Sequence, residues 1–207
     1  MVPCRCEGPH LIELRVRHRI DVLIVPIGQT LAKIGVRPIH LTIGGLLVTL
    51  AGAVLLAWGQ TIAGAIVILF GSAMDGLDGA VARAAGTASA RGAMIDSVAD
   101  RIGETAMFAS CAFWLTSKAS PEEGDPALVL LTVLSLAASL LVSYMRAKAE
   151  TSGADGRGGL MGRAERVILF AVGFLFSQVT LMLWAMASLT WLTVFQRFWK
   201  TWQQLDQ

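Results

Sequence analysis

Long apolar segments follow one another from residue 40 to residue 200 and decide what this chain can fold into. A helix needs about 20 apolar residues to cross a bilayer, and the chain offers successive segments near that length, separated by short polar turns. Hydrophobic residues make up 55% of the sequence and charged residues only 15%, whereas a soluble domain carries about 25% charged residues. We therefore predict an all-α integral membrane protein, a bundle of six transmembrane helices. The predicted spans are residues 40–58, 61–82, 92–116 and 126–150, and two short spans within 164–200 that meet near Ser177 to Leu183.

The segment before the first span has a different pattern. In residues 10–35 apolar positions recur at helical spacing, and Arg15, Arg17 and Arg19 lie between them. This pattern is typical of a basic amphipathic helix that lies on an anionic membrane surface. We predict a cytoplasmic amphipathic segment at 1–37 and a single membrane domain over 1–207. Cys4 and Cys6 have no second Cys or His pair at zinc spacing, so they indicate no metal site.

The distribution of basic residues predicts the orientation in the membrane. Of the 17 Lys and Arg residues, all but Lys118 fall at the termini, or in loops and helix ends on one side of a six-span bundle. The positive-inside rule makes that side cytoplasmic. We therefore expect a multi-pass protein of the cell's inner membrane with both termini in the cytoplasm. The net charge of +2 is too small to indicate a nucleic-acid partner.

Four aspartates stand at the cytoplasmic ends of the second and third spans. Asp75 and Asp78 are three residues apart, and Asp96 and Asp100 are four residues apart, so each pair lies on one face of its helix. The loop between the two helices is short, and the helices are therefore predicted to be antiparallel neighbours. Their acidic faces can then bring all four carboxylates together.

Such a cluster near lipid requires compensating positive charge. Each Asp costs roughly 2.5–3.5 kcal/mol at the centre of a span, and less near the interface. Arg83 and Arg101 cannot neutralise four carboxylates, but two divalent cations can. Because all the ligands are oxygens, Mg²⁺ or Mn²⁺ is favoured over zinc or copper, and paired ions of this kind serve phosphoryl chemistry. The alternative is that the acids only pair with Arg83, Arg91 and Arg101.

The spacing of this segment resembles a family signature. The pattern Asp-x2-Asp-Gly-x2-Ala-Arg-x8-Gly-x3-Asp-x3-Asp is met by Asp75, Asp78, Gly79, Ala82, Arg83, Gly92, Asp96 and Asp100. It resembles the signature of the CDP-alcohol phosphatidyltransferases, and the six-span layout is also similar to theirs. The resemblance implies an enzyme that transfers a phosphatidyl group from CDP-diacylglycerol to an alcohol and releases CMP. It also implies a homodimer, which is common in that family.

The resemblance also implies roles for individual residues. Asp75, Asp78 and Asp96 would hold the metals, and Asp100 would be shared between metal binding and proton abstraction from the acceptor. The CDP part would contact Gly79, Arg83 and Ser89. The family often carries Pro-Asn-x-x-Thr before the first span. Here the segment reads Pro38-Ile39-His40-Leu41-Thr42, which lacks the Asn and leaves Thr42 as the candidate CDP-diacylglycerol contact.

Basic residues at the inner ends of the last three spans indicate the acceptor. They are Arg146, Lys148, Arg163, Arg166 and Arg197. A cationic pocket fits an acceptor that carries a phosphate, although the positive-inside bias alone could also place such residues there. The segment from Ser143 to Glu150 resembles the phosphatidylinositol phosphate synthases of actinobacteria and the similar archaeal enzymes. That resemblance implies that these five residues, with Ser143, hold the phosphate of inositol 1-phosphate.

Two other functions stay open at this point. A phosphatidylglycerophosphate synthase would use glycerol 3-phosphate, which also carries a phosphate. A cation or proton transporter would also contain intramembrane carboxylates, although transporters usually place them near mid-membrane on interrupted helices. The Gly-rich loop 153–162 is a candidate to move over the acceptor site.

Overall fold

Six α-helices follow the predicted spans closely. A computed structural model describes residue 30 and residues 37–84, 86–87, 89–121, 124–156 and 158–205, and no strand occurs among them. The helices are α1 (Pro38–Ala57), α2 (Thr61–Ala84), α3 (Ala90–Leu115), α4 (Pro126–Thr151), α5 (Arg163–Leu175) and α6 (Val179–Leu205). The all-α prediction is confirmed. Apart from Thr30, the predicted amphipathic helix at 10–35 lies outside the described residues.

The helices differ in their ability to cross a membrane. Among the described residues, α1, α2, α4 and α6 are long and apolar enough to do so. The 26 residues of α3 have sufficient length, but its first half carries the charges of the acidic motif. Helix α5 has 13 residues, which at 1.5 Å per residue gives about 20 Å, less than the ~30 Å hydrocarbon core. The chain is therefore a multi-pass membrane protein in which α5, at the position of the predicted short fifth span, is shorter than the hydrocarbon core.

Helices α1 and α2 pack closely through glycines. The glycines are spaced seven residues apart in each helix: Gly45 and Gly52 in α1, and Gly64 and Gly71 in α2. A Cβ added to Gly71 would lie 2.7 Å from the backbone nitrogen of Thr49, and one added to Gly45 would lie 2.9 Å from that of Asp75. Because lipid supplies no hydrophobic drive between helices, small residues that permit close backbone approach stabilise such pairs. This contact fixes α1 against the acidic end of α2.

We expect Gly71→Ala to destabilise the protein. The added methyl group has no room against the backbone of α1, and overpacking of this kind costs about 1–3 kcal/mol. Gly76→Ala on the same helix is the matched control, since a Cβ there meets nothing within 4 Å and the gain in helix propensity is the same. Thermal unfolding in detergent should give a lower Tm for Gly71→Ala than for Gly76→Ala. Equal Tm values would show that α1 and α2 can move apart to accommodate the methyl group without loss of stability.

Helices α1, α3 and α5 all reach the acidic end of α2. Helix α1 also packs on α3, α5 packs on α2 and α6, and α4 packs on α6. Helices α2 and α3 themselves make few close contacts, so they are not the broad antiparallel neighbours that their short loop suggested. Helix α1 lies against both of them, and the acidic residues of α2 and α3 meet where α1 and α5 begin.

Candidate active site

Three of the four predicted metal ligands come together. Asp75 and Asp78 of α2 and Asp96 of α3 each present a carboxylate oxygen, and these oxygens all lie within 4.8 Å of one another. Asp75 and Asp78 are buried and Asp96 is half-buried. We call these three residues the acidic triad.

The acidic triad fits a divalent cation. Its donors are all carboxylate oxygens, the set that Mg²⁺ and Mn²⁺ prefer. Oδ1 of Asp75 is buried and has no hydrogen-bond partner in the described part of the chain, and a buried anionic oxygen is costly unless a positive group satisfies it. The hydroxyl of Thr42 on α1 donates to Oδ2 of Asp78 and orients that carboxylate. Thr42, predicted as a CDP-diacylglycerol contact, therefore also contacts the acidic triad.

Asp100 lies beside the acidic triad and is held by two arginines. Its Oδ1 is 2.6 Å from Nη1 of Arg163, and its Oδ2 is 3.3 Å from Nη1 of Arg101. The same Nη1 of Arg163 donates to Oδ2 of Asp75 at 2.7 Å. One guanidinium from α5 thus bridges acids of α2 and α3. Arg163, which the sequence analysis grouped with the acceptor residues, lies at the edge of the metal site.

A cavity of about 600 Å³ opens beside the acidic triad. Its lining contains all four residues predicted to contact CDP-diacylglycerol, with two triad acids: Thr42, Gly79, Arg83, Ser89, Asp78 and Asp96. A Cβ on Gly79 would come within 3.3 Å of Nη1 of Arg83, so the missing side chain leaves room for that guanidinium. Ser89 also caps α3, because its Oγ accepts from the backbone N–H of Gly92 at 3.1 Å. The cavity therefore combines two carboxylates with the groups expected to meet a nucleotide.

Two further arginines, neither of them predicted from the sequence to contact the donor, also line this cavity. Arg37 precedes α1, and Arg91 lies in the first turn of α3. Both are next to motif positions in the sequence, Arg91 beside Gly92 and Arg37 beside Pro38, and that adjacency was the available signal. Their positive charges suit a diphosphate group.

The predicted acceptor residues of α4 and α6 lie near one another. Arg197 donates to the backbone carbonyl of Val142 at 2.8 Å, which ties α6 to α4 one residue before Ser143. Arg146 and Arg166 both lie close enough to Arg197 to repel its positive charge. Lys148 is exposed at the same end of α4, where Arg146 pairs with Glu150 at 2.9 Å.

Arg166 has a different environment from the other predicted acceptor residues. Only 1% of its surface is exposed. Its Nε donates to Oε1 of Glu104 on α3 at 2.7 Å, and its Nη1 donates to the carbonyl of Met161 at 2.9 Å. Glu104 could not be assigned a role from sequence, because nothing in its spacing connects it to a residue 62 positions away.

The Gly-rich loop before α5 is bonded along α6. The carboxylate of Asp155 lies 2.9 Å from Nζ of Lys200, and the backbone N–H of Leu160 donates to Gln196 at 3.3 Å. Arg197 donates from Nε to the carbonyl of Gly158 at 2.8 Å. This loop, predicted to move over the acceptor site, is held beside the residues of that site.

Comparison with known proteins decides the family. The profile of CDP-alcohol phosphatidyltransferase matches residues 36–199, which include the first residue of each of the six described helices and the whole acidic motif. The chain belongs to the CDP-alcohol phosphatidyltransferase family. As a member, it is a membrane transferase of phospholipid synthesis, and its acidic triad has the donor atoms and spacing that fit a divalent cation. This membership removes the reason for considering a transporter.

The relatives of this CDP-alcohol phosphatidyltransferase include synthases of inositol phosphate lipids. The archaetidylinositol phosphate synthase of Pyrococcus horikoshii is 32% identical over 193 residues, which cover 93% of this chain and 97% of that protein. The phosphatidylinositol phosphate synthase of Mycobacterium tuberculosis is 37% identical over 152 residues, 73% of this chain and 68% of that protein. The synthase of the same name from Corynebacterium glutamicum is 33% identical over 194 residues, covering 90% and 87%.

Solved structures share the fold of this phosphatidyltransferase. The crystal structure of the Mycobacterium tuberculosis synthase with CDP-DAG bound matches with a TM-score of 0.77 and 33% identity, covering 86% of this chain and 93% of that chain. Its complex with manganese and citrate matches with the same TM-score and covers 86% and 88%.

Proposed function

We propose that this phosphatidyltransferase transfers the phosphatidyl group of CDP-diacylglycerol to a hydroxyl of inositol 1-phosphate, giving phosphatidylinositol phosphate and CMP. The observation that carries the proposal is that one cavity is lined by Thr42, Gly79, Arg83 and Ser89 together with two triad acids. The Mycobacterium tuberculosis relative binds CDP-DAG, which supports the donor. The names of the relatives support the acceptor.

The reaction exchanges one P–O bond for another. The acceptor hydroxyl attacks the β-phosphorus, which bears diacylglycerol, the bond to CMP breaks, and CMP leaves with the electron pair. Asp100 takes the proton from the attacking hydroxyl. Arg163 and Arg101 hold the Asp100 carboxylate from two sides, so its orientation is set before the acceptor arrives.

We propose two Mg²⁺ ions as the resident metals, with Mn²⁺ able to replace them. Asp75, Asp78 and Asp96 would hold them together with Asp100. Divalent ions supply neutralisation of the charge that develops on a diphosphate and its leaving group. The Mycobacterium tuberculosis relative has been crystallised with manganese, which supports the choice of a hard ion.

The acceptor phosphate, in this proposal, lies between the ends of α4, α5 and α6. It would be bound by Ser143, Arg146, Lys148, Arg163 and Arg197, with Arg166 behind them. Support comes from the positive charge of Arg146, which lies close enough to repel the guanidinium of Arg197. An anion bound beside Arg197 would reduce that repulsion. Arg163 would then contact both the metal site and the acceptor.

The membrane placement is part of the proposal. Six spans, an N-terminal amphipathic helix and a cytoplasmic active site would let CDP-diacylglycerol enter from the inner leaflet with its tails in lipid. The concentration of Lys and Arg on one side of the bundle supports this orientation. We also propose a homodimer, on the family resemblance, and cross-linking in native membranes tests it.

An acceptor panel tests the proposed reaction. Membranes that contain the protein are given CDP-diacylglycerol, Mg²⁺ and one acceptor: inositol 1-phosphate, glycerol 3-phosphate, inositol or serine. We expect CMP release and lipid product with inositol 1-phosphate only, because the other phosphate-bearing acceptor lacks the inositol ring and the remaining two lack the phosphate. A chelator should abolish the signal. Product with glycerol 3-phosphate only would identify a phosphatidylglycerophosphate synthase and reject the proposed acceptor.

A further inference from the structure

Glu104 is a buried acid that the proposed chemistry does not use. It lies on α3 one helical turn after Asp100 and is 3% exposed. Nε and Nη2 of Arg166 lie 2.7 Å and 2.6 Å from Oε1 of Glu104, and Nη1 binds the carbonyl of Met161. All three nitrogens of Arg166 are therefore engaged with protein groups.

The Glu104–Arg166 pair is one step in a series of contacts between α3 and α5. In order, the pairs are Asp100–Arg163, Glu104–Arg166, Phe108–Phe170 with ring centroids 6.1 Å apart, and Trp114–Phe174 with ring centroids 5.3 Å apart. The partners advance along both helices together, so α3 and α5 run parallel. The two helices, both described throughout, make almost no close backbone contact. Their side chains therefore set their register.

The ion pair is the directional contact in this series. Aromatic rings gain most of their energy from non-directional burial and tolerate small shifts. A guanidinium fork binds a carboxylate in a fixed geometry, and separating a buried pair leaves an uncompensated charge. A buried ion pair is weak evidence for net stability, since apolar residues of similar volume can replace it. Its distinctive contribution here is the register of α5 against α3.

That register determines where Arg163 lies. Arg166 holds the carbonyl of Met161, two residues before Arg163, and the backbone N–H of Met161 donates to Oγ1 of Thr193 on α6 at 3.0 Å. The start of α5 is thus fixed from two helices. Arg163, its first residue, then has Nη1 2.7 Å from Asp75 and 2.6 Å from Asp100.

We infer that Glu104 and Arg166 are a positioning pair: they fix the first turn of α5 against α3 so that Arg163 meets both the metal site and the acceptor phosphate. This inference rests on the role proposed above for Arg163. It assigns Arg166 an indirect action, whereas the sequence analysis predicted a direct contact with the acceptor phosphate. The two roles give different results in an experiment.

The principal test replaces the pair with apolar residues, Glu104→Leu/Arg166→Met. Buried apolar residues of similar volume should let the protein fold, which a single symmetric peak in size-exclusion chromatography and the Tm would check. We expect the KM for inositol 1-phosphate to rise about ten- to hundredfold, because a displaced Arg163 loses a charge-assisted hydrogen bond to the acceptor phosphate and such bonds contribute that much to binding. The KM for CDP-diacylglycerol should stay within about twofold, since the pair does not line the donor cavity.

The same replacement in an Arg163→Ala background separates indirect from direct action. If the pair acts through Arg163, replacing Glu104 and Arg166 in the Arg163→Ala background should raise the acceptor KM no further. The effects of interacting residues are non-additive. A direct contact between Arg166 and the phosphate, or a general loss of structure, would raise the KM again by the same factor, and that result would overturn the inference. Thr132→Val, at a residue of α4 that is only 1% exposed, is the control for a change in Tm without a change in acceptor KM.

A milder variant keeps the test decisive if the double replacement does not fold. Glu104→Asp retains the charge and withdraws it by one methylene group, and it should raise the acceptor KM by a smaller factor. An unchanged acceptor KM in folded Glu104→Asp would then overturn the inference. An Arg163→Ala variant with a normal acceptor KM would instead reject the proposed role of Arg163, so the two failures are distinguishable.

Discussion

Asp78→Asn should reduce CMP release from CDP-diacylglycerol by about a thousandfold or more. Asp78 is a buried member of the acidic triad and also lines the donor cavity. Divalent ions supply several kcal/mol of stabilisation to a phosphoryl transition state, and each ~1.4 kcal/mol is a factor of ten in rate. An amide supplies no negative charge for the cation and keeps the size of the side chain, so the loss should appear in the rate rather than in folding. The measurement is CMP release by purified protein in detergent with saturating Mg²⁺.

Asp125→Asn is the matched control for this substitution. Asp125 is an exposed residue that caps α4 by accepting from the backbone N–H of Ala127 at 2.8 Å, at the opposite end of α4 from the acceptor residues. Asn is an equally good N-cap, so activity and Tm should both stay near the wild-type values. If Asp78→Asn retained more than about a tenth of the wild-type rate, less than 1.4 kcal/mol of stabilisation would depend on that carboxylate. A metal-binding role would not fit such a result.

Arg163→Ala should lower kcat/KM for inositol 1-phosphate by about a hundredfold. The substitution removes a guanidinium 2.7 Å from Asp75 and 2.6 Å from Asp100, and truncating one member of such a charged pair costs about 2–5 kcal/mol. Its effect on metal should have the opposite sign. A positive charge next to two ligands opposes a divalent cation, so the variant should bind Mn²⁺ at least as tightly as the wild type. Steady-state kinetics in both substrates and calorimetry with Mn²⁺ measure the two effects.

Arg163→Lys is the informative partner of that variant. Lysine keeps the positive charge but lacks the planar fork that reaches two carboxylates and a phosphate. We expect it to restore only part of the activity, with the deficit in the acceptor KM. A kcat/KM for inositol 1-phosphate near the wild-type value in both variants would remove Arg163 from the acceptor site.

The helices and the acidic motif could be predicted from local sequence because both depend on short-range spacing. Apolar runs bounded by Gly59–Gln60 and by the loop at 116–125 gave helix limits within a few residues of those observed. The triad follows from intervals of three and four residues within two helices joined by a short loop. Intervals of this kind need no knowledge of tertiary packing.

The neighbours of the motif could not be predicted in the same way, because distant helices supply them. The packing of α1 on α2 depends on glycines spaced by seven residues, a pattern that gains meaning only when both helices are known to touch. Arg163 and Arg166 look alike in sequence, three residues apart at the start of one helix. Arg163 contacts Asp75 and Asp100, whereas Arg166 is buried against Glu104. Only the parallel packing of α3 and α5 gives the two arginines these different partners.

Binding of Mn²⁺ to the purified protein, followed by electron paramagnetic resonance without any substrate, tests most directly whether α2 and α3 join their aspartates around a divalent ion. We expect a bound-ion signal in the wild type and in Asp125→Asn that disappears in Asp78→Asn and in Asp96→Asn. An unchanged signal in both triad variants would mean that the ion binds elsewhere.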